Sequence, residues 1–149
     1  MAKFAEKPKG LIVMQGTPGN GKTYAAMALC EKFSRTSRSV LFTTQKQLAD
    51  AWLNTFKEQR QSNYSDELMR VKLLVIDDFG TAEMSKSLLE FFMQLINTRL
   101  QWSDRGTVIT TNLSDAKLAE FCGDALVDRI NTGQKFEFTG PSRRKEIVL

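Results

Sequence analysis

The chain has 149 residues, with 21 Lys and Arg against 17 Asp and Glu, two cysteines and no histidine. That length holds one domain with a core of its own, and the lack of histidine removes the commonest general base and metal ligand, leaving carboxylates, Lys, Arg and backbone dipoles for any chemistry. The net charge of +4 and pI of about 9.2 fit anionic partners or simply solvated lysines, and no run approaches the roughly 18 apolar residues of a membrane span, so no membrane partner is expected.

The charged opening AKFAEKPKG carries no signal-peptide core. Residues 1–9 read as a flexible lead to a single domain covering 1–149. The apolar run Leu11 to Gln15, bounded by Gly10 and Gly16, predicts a buried strand. Gly16 to Thr23 then reads GTPGNGKT and matches G-x-x-x-x-G-K-[ST], with a strand before it and a helix after it. In such a loop, glycines let backbone N–H groups converge on phosphate oxygens, and the helix N-terminus adds partial positive charge. Thr17, Pro18, Gly19, Asn20, Gly21, Lys22, Thr23 and the following Tyr24 are the candidate ATP or ADP contacts. Lys22 is placed to reach the β- and γ-phosphates, and the Thr23 hydroxyl to ligate Mg²⁺.

Lys22 to about Ser34 has Ala25, Ala26, Leu29 and Phe33 at helical spacing. Ser39 to Thr43 predicts a second strand. Gln45 to Gln59 predicts an amphipathic helix through Leu48, Trp52, Leu53 and Phe56, and residues 60–66 a polar break. Leu73 to Ile76 is fully apolar and ends at Asp77-Asp78. A carboxylate at the end of a buried strand beside a phosphate loop suits Mg²⁺, which points to Asp77; Asp78 is then the candidate for polarising the attacking water. As a bare strand terminus the pair would be two adjacent acids without a cation.

Ser85 to Trp102 predicts a long helix, and GTVITTN from Gly106 another strand. That strand ends at Asn112, placed either to touch the γ-phosphate and attacking water or to form an Asx turn before a helix capped by Ser114 or Asp115. Leu118 to Cys122 and Leu126 to Ile130 suit short helices, and Lys135 to Thr139 alternates as an edge strand. Helices alternating with apolar strands predict an α/β fold, a parallel sheet covered on both faces. Cys30 and Cys122 fall in apolar patterns, as small core residues of a protein in a reducing cytoplasm. Trp52, Phe56 and Trp102 read as core aromatics or as stacking surfaces for DNA bases. Arg129 reads as a surface salt-bridge residue, and Arg143-Arg144-Lys145 as a solvated tail.

In the order GTPGNGKT, LLVIDDFG, TTN, LVDRI and SRR, from about Gly10 to Arg144, the sequence resembles the AAA+ ATPases of the DnaC/IstB type, which include replicative helicase loaders and transposition helper ATPases. The resemblance implies a P-loop three-layer sandwich with sheet order 5-1-4-3-2 and little or no C-terminal lid. It implies Asn112 as sensor 1, Arg129 as an arginine finger reaching a neighbour's ATP in a self-assembled complex, and Arg144 (or Arg143) as sensor 2. The helix from Gln45 resembles the insertion of initiator-type members, which lines a channel for single-stranded DNA. Asp78 departs from the Glu of most relatives and is one methylene shorter, which implies slow hydrolysis. Almost nothing precedes the first strand, which reads as an excised ATPase domain or a short, phage-like form.

The function expected is a Mg-ATP-dependent ATPase that loads a replicative helicase and binds single-stranded DNA. A transposition helper with a transposase client is the alternative, along with a nucleotide-gated module of weak turnover. A P-loop small-molecule kinase would need an arginine-rich lid, whereas residues 103–128 hold only Arg105.

Overall fold

The computed structural model describes residues 4, 7–36, 39–57 and 63–142. Its five strands are β1 (Gly10–Gly16), β2 (Val40–Thr44), β3 (Leu73–Phe79), β4 (Gly106–Thr111) and β5 (Gln134–Phe138). The helices are α1 (Lys22–Ser34), α2 (Gln45–Lys57), α3 (Asn63–Arg70), α4 (Lys86–Gln101), α5 (Asp115–Cys122) and α6 (Asp124–Asn131). The strands form one parallel sheet in the order β2-β3-β4-β1-β5. This is the 5-1-4-3-2 order expected.

Side-chain alternation sorts the core into two layers. Leu11 and Val13 of β1, Leu74 and Ile76 of β3, and Ile109 of β4 face α4, α5 and α6. Ile12 and Met14, Leu73 and Val75, and Val108 face Ala26, Leu29 and Phe33 of α1. Both faces of the sheet are therefore covered, which is why its central strands read as unbroken apolar runs. Phe4 and the buried Pro8 of the lead lie over Gly106, where a Cβ would stand 2.5 Å from the Phe4 ring and 2.6 Å from Pro8.

Helix starts follow local chemistry. Thr44 and Gln47 form a reciprocal capping box: the Gln47 N–H donates to Thr44 Oγ1 at 3.1 Å, and the Thr44 N–H to Gln47 Oε1 at 3.0 Å. No connecting residue separates β2 from α2. Ser85 caps α4 and Ser114 caps α5, each accepting a backbone N–H three residues on.

The structure corrects two expectations. The polar break at 60–66 contains the start of α3. Asp66, Glu67 and Arg70 face solvent, Asp66 sits in its first turn and Arg70 in its last, and Leu68 is buried with Tyr64 packed beside the core. Its end is held by Arg99, 1% exposed, which donates to Leu68 O at 2.8 Å, Val71 O at 2.9 Å and Met69 O at 3.3 Å. That support comes from α4 and leaves no mark in the local sequence. Second, β3 continues past Ile76 through both aspartates to Phe79.

Candidate nucleotide site

The loop between β1 and α1 wraps the start of α1. Gly21 precedes the helix with φ 96°, a left-handed backbone that glycine adopts without steric cost. Gly16 lies so close to the Phe138 carbonyl of β5 that any Cβ would collide with it. Asn20 joins these parts: its amide nitrogen donates to Phe138 O, and its amide oxygen accepts from Lys22 Nζ at 3.1 Å. Lys22 is buried, with Nζ also donating to Gly16 O and Thr17 O, both at 2.7 Å. Three of the cradle's own groups thus fix where the ammonium stands.

Asp77 reaches the same place from β3. The Thr23 hydroxyl lies 3.1 Å from Asp77 Oδ1 and 3.0 Å from Oδ2, and Thr110 Oγ1 of β4 donates to Oδ1 at 2.5 Å. The carboxyl group is buried, with hydroxyls as its partners and no ion pair among the described residues. No group of three His, Cys, Asp or Glu side chains gathers as a metal site among the described residues. A hydroxyl and a carboxylate fit Mg²⁺, which takes one or two protein oxygens and completes its shell with water and phosphate.

Asp78 opens onto the cavity beside the cradle. It is exposed, and at φ 54° it is the only non-glycine with positive φ among the described residues. The loop after it is held by Gln45, which is fully buried: Gln45 Oε1 accepts from the Gly80 N–H at 2.6 Å, and Nε2 donates to Ala82 O at 2.5 Å.

One cavity of about 840 Å³ is lined by Pro18 to Ala25, Asp78, Asn112 and the end of β5, Glu137 to Thr139. The segment after β4 that carries Asn112 is fixed by Gln15, whose Nε2 donates to Leu113 O at 2.6 Å and to Asp115 Oδ1 at 3.0 Å. Lys135 also donates to Asp115 and, with Gln15, holds its carboxyl below the usual carboxylate range. The turn after Asn112 is made by Thr111, whose hydroxyl accepts the Leu113 N–H at 3.1 Å, so the Asx-turn alternative is not what forms. Asn112 faces the cavity instead. Lys22 and Thr23 of this cavity, with Asp77 against Thr23 and Asp78 on the cavity wall, can hold a metal-bound triphosphate and stand beside its terminal phosphoryl group.

The pattern that defines the IstB-like ATP-binding proteins of IS21 type matches residues 2–146. The chain belongs to this family. It is 30% identical over 124 residues to the replicative helicase loader DnaC of Escherichia coli, covering 82% of this chain and 50% of that protein. It is 28% identical over 132 residues to the IS21 insertion-sequence ATP-binding protein of Pseudomonas aeruginosa, covering 85% and 49%. The chain therefore spans about half the length of the curated relatives it matches. A DnaC helicase loader crystal structure overlays 93% of this chain and 85% of that one with a TM-score of 0.79 at 23% identity. The replication initiator DnaA bound to AMPPCP and single-stranded DNA overlays 94% and 44% with a TM-score of 0.86 at 20% identity. At those identities the overlays speak for the fold, a P-loop three-layer sandwich.

Within this IstB-like domain the remaining sequence candidates that the structure describes lie apart from the cavity. Arg129 is exposed in the last turn of α6, makes no ion pair among the described residues, and is not among the residues lining its own chain's cavity. Arg143 and Arg144 fall outside the described residues. Trp52 stacks on Phe91 with ring centroids 4.3 Å apart, against the core and not on an outer face. The side chain of Phe56 lies outside the described residues, and Trp102 is half-exposed beneath the Arg105 guanidinium. Sequence reasoning missed Thr110, Gln45 and the β5 segment Glu137 to Thr139. TTN carried a signal for Thr110, since its first threonine sits on a strand flanking the acids; Gln45 had none.

Proposed function

We propose that this IstB-like domain binds Mg-ATP in the β1–α1 cradle and hydrolyses it slowly. The observation that carries this reading is the meeting of Thr23 with both oxygens of Asp77, beside a cavity shared by Lys22's loop, Asp78 and Asn112. Lys22 holds the β- and γ-phosphates. Thr23 and Asp77 hold Mg²⁺, which when bound neutralises charge on the phosphate oxygens. Asp78 orients and polarises the attacking water, with Asn112 beside it. Its short side chain places the acceptor about one methylene farther back than a Glu would, which suits a switch more than a motor.

The client we infer is a replicative helicase, with single-stranded DNA as the second ligand, on the strength of the similarity to DnaC and to a DnaA bound to such DNA. A transposase client is the second reading, favoured by the IS21-type family match and the similarity to an IS21 ATP-binding protein. Co-purification with a tagged chain separates them by which protein is captured. The chemistry is tested by two substitutions side by side. Lys22→Ala should abolish ATP binding in a folded protein, because it removes a point charge from a helix's first turn where Ala is tolerated. Asp78→Asn should keep ATP affinity within about threefold while single-turnover hydrolysis falls at least about a hundredfold. Unchanged ATP affinity in Lys22→Ala would remove the cradle from the mechanism, and equal loss of binding and turnover in Asp78→Asn would move that acid into the metal site.

A further inference from the structure

The ladder between β3 and β4 does not keep an even count. Leu73 pairs with Gly106, Leu74 with Thr107, Val75 with Val108 and Ile76 with Ile109. The next pair is Phe79 with Thr111. Two residues of β3, Asp77 and Asp78, therefore stand opposite one residue of β4, Thr110. This is a β-bulge, a feature uncommon between parallel strands and found next to active sites, where it re-aims a side chain. In a flush strand neighbouring side chains simply alternate between faces. Here the extra residue is Asp78, with its left-handed backbone, and the ladder rejoins only beyond it.

One hydroxyl serves both sides of this irregularity. Thr110 Oγ1 donates to Asp77 Oδ1 at 2.5 Å and accepts the Asp78 N–H at 3.0 Å. The bulge takes that N–H out of the regular ladder, and a buried donor left without an acceptor is costly. Thr110 is itself fully buried. Beyond it, Thr111 Oγ1 donates to Phe79 O at 2.7 Å and closes the ladder again. On the outer side Thr81 Oγ1 donates to Asp78 O at 2.7 Å.

We infer that Thr110 is a positioning residue that pins the β3 bulge, so that its one hydroxyl sets the carboxylate of Asp77 toward Thr23 and holds the backbone of Asp78 in the conformation that turns its side chain to the cavity. The inference rests on the nucleotide reading above and adds a residue to it. Thr110 is buried behind the cavity and not among the residues that line it; it acts through both acids at once. Valine has the same shape without the hydroxyl, and serine keeps the hydroxyl without the methyl group.

The test measures ATP affinity in EDTA, ATP affinity in Mg²⁺, and single-turnover hydrolysis at saturating Mg-ATP. Wild type should bind ATP more tightly with Mg²⁺ than in EDTA. In Thr110→Val that gain should shrink about 10- to 100-fold, the range typical when a partner of a metal ligand is removed, with EDTA affinity unchanged. Turnover at saturation should fall as well, because Asp78 loses its anchor, and Thr110→Ser should restore both readouts. Should Thr110→Val not fold, Thr110→Ala set against Thr110→Ser makes the same comparison. A wild-type Mg²⁺ gain and turnover in Thr110→Val overturns the proposal and leaves the nucleotide reading standing. So does failure of Thr110→Ser to restore them, or a loss of equal size in EDTA, which marks a merely structural residue. If wild type shows no Mg²⁺ gain, the nucleotide reading falls and the role of Thr110 with it.

Discussion

Arg99 is a guanidinium sealed in the interior with no ion pair among the described residues. Besides the three carbonyls at the end of α3, it donates to Gly106 O at 2.7 Å and to Thr107 Oγ1 at 2.8 Å. Burial, with a smaller contribution from the positive charge of Arg105, pulls its pKa down to about 10. Those acceptors belong to the end of α3 with the turn after it and to β4, so one side chain of α4 ties together two stretches that are well separated in the chain. An arginine suits this work because its planar fork offers five donors in fixed directions. Arg99→Met keeps the stem and removes every donor, leaving buried carbonyls that each cost about 1–3 kcal/mol when unsatisfied. The expected loss is at least about 3 kcal/mol of folding stability in urea titration; a loss below about 1 kcal/mol would show that the carbonyls find other partners. Nothing in the local sequence singles Arg99 out, because a charged residue on a long amphipathic helix ordinarily faces water.

Among the elements, α2 has the divided face that a nucleic-acid contact requires. Leu48 is buried and Trp52 packs on Phe91, while Lys46, Gln47, Asp50, Leu53 and Asn54 face outward. If single-stranded DNA runs along this helix, the contact is made by the outward set and not by the Trp52 ring. We expect binding in the presence of ATP to weaken with salt, and Lys46→Ala to reduce the slope of log affinity against log salt by about one phosphate's worth, roughly 0.7. No detectable binding at low salt with ATP present would sink the DNA contact for this chain. The same helix shows what the sequence made legible. Its period of 3.6 exposed the core face through Leu48 and Trp52, just as the unbroken apolar runs exposed the central strands. The cradle and both aspartates were legible because their chemistry depends on residue type at fixed spacing. α3 was not, because its polar residues leave only Tyr64, Leu68 and Met69 for the core and its end is held by Arg99 from α4. The bulge was not, because an uneven count between two strands exists only once they pair. Gln45 was not, because a glutamine opening a helix reads as surface until the loop after Asp78 closes over it.

At the scale of the whole molecule, the cavity draws its lining from the β1–α1 loop, the ends of β3 and β4, and β5, while Arg129 stands exposed on α6 away from it. An arginine so placed serves a second chain's site or none. If it acts on a neighbour, hydrolysis per chain should rise with protein concentration, and a finger of this kind is worth about 10³–10⁵ in rate. Lys22→Ala chains, which keep Arg129, mixed with Arg129→Ala chains, which keep the cradle, should recover activity that neither shows alone. A mixture that stays inactive where wild-type chains assemble and turn over would return Arg129 to the role of a surface residue. The bulge also bears on how such a domain survives selection. A chain lacking one residue between Ile76 and Phe79 would run flush with β4 and be rid of the left-handed residue, whose backbone costs about 1–3 kcal/mol. It should resist heat better and keep a single acid opposite Thr110. Sorting a library of β3 deletions first by melting temperature alone, then by nucleotide turnover, should enrich opposite versions of the strand. Robustness and activity pull on the same residue from opposite sides, and a lineage freed from the need to turn over ATP should lose the bulge while its fold grows hardier.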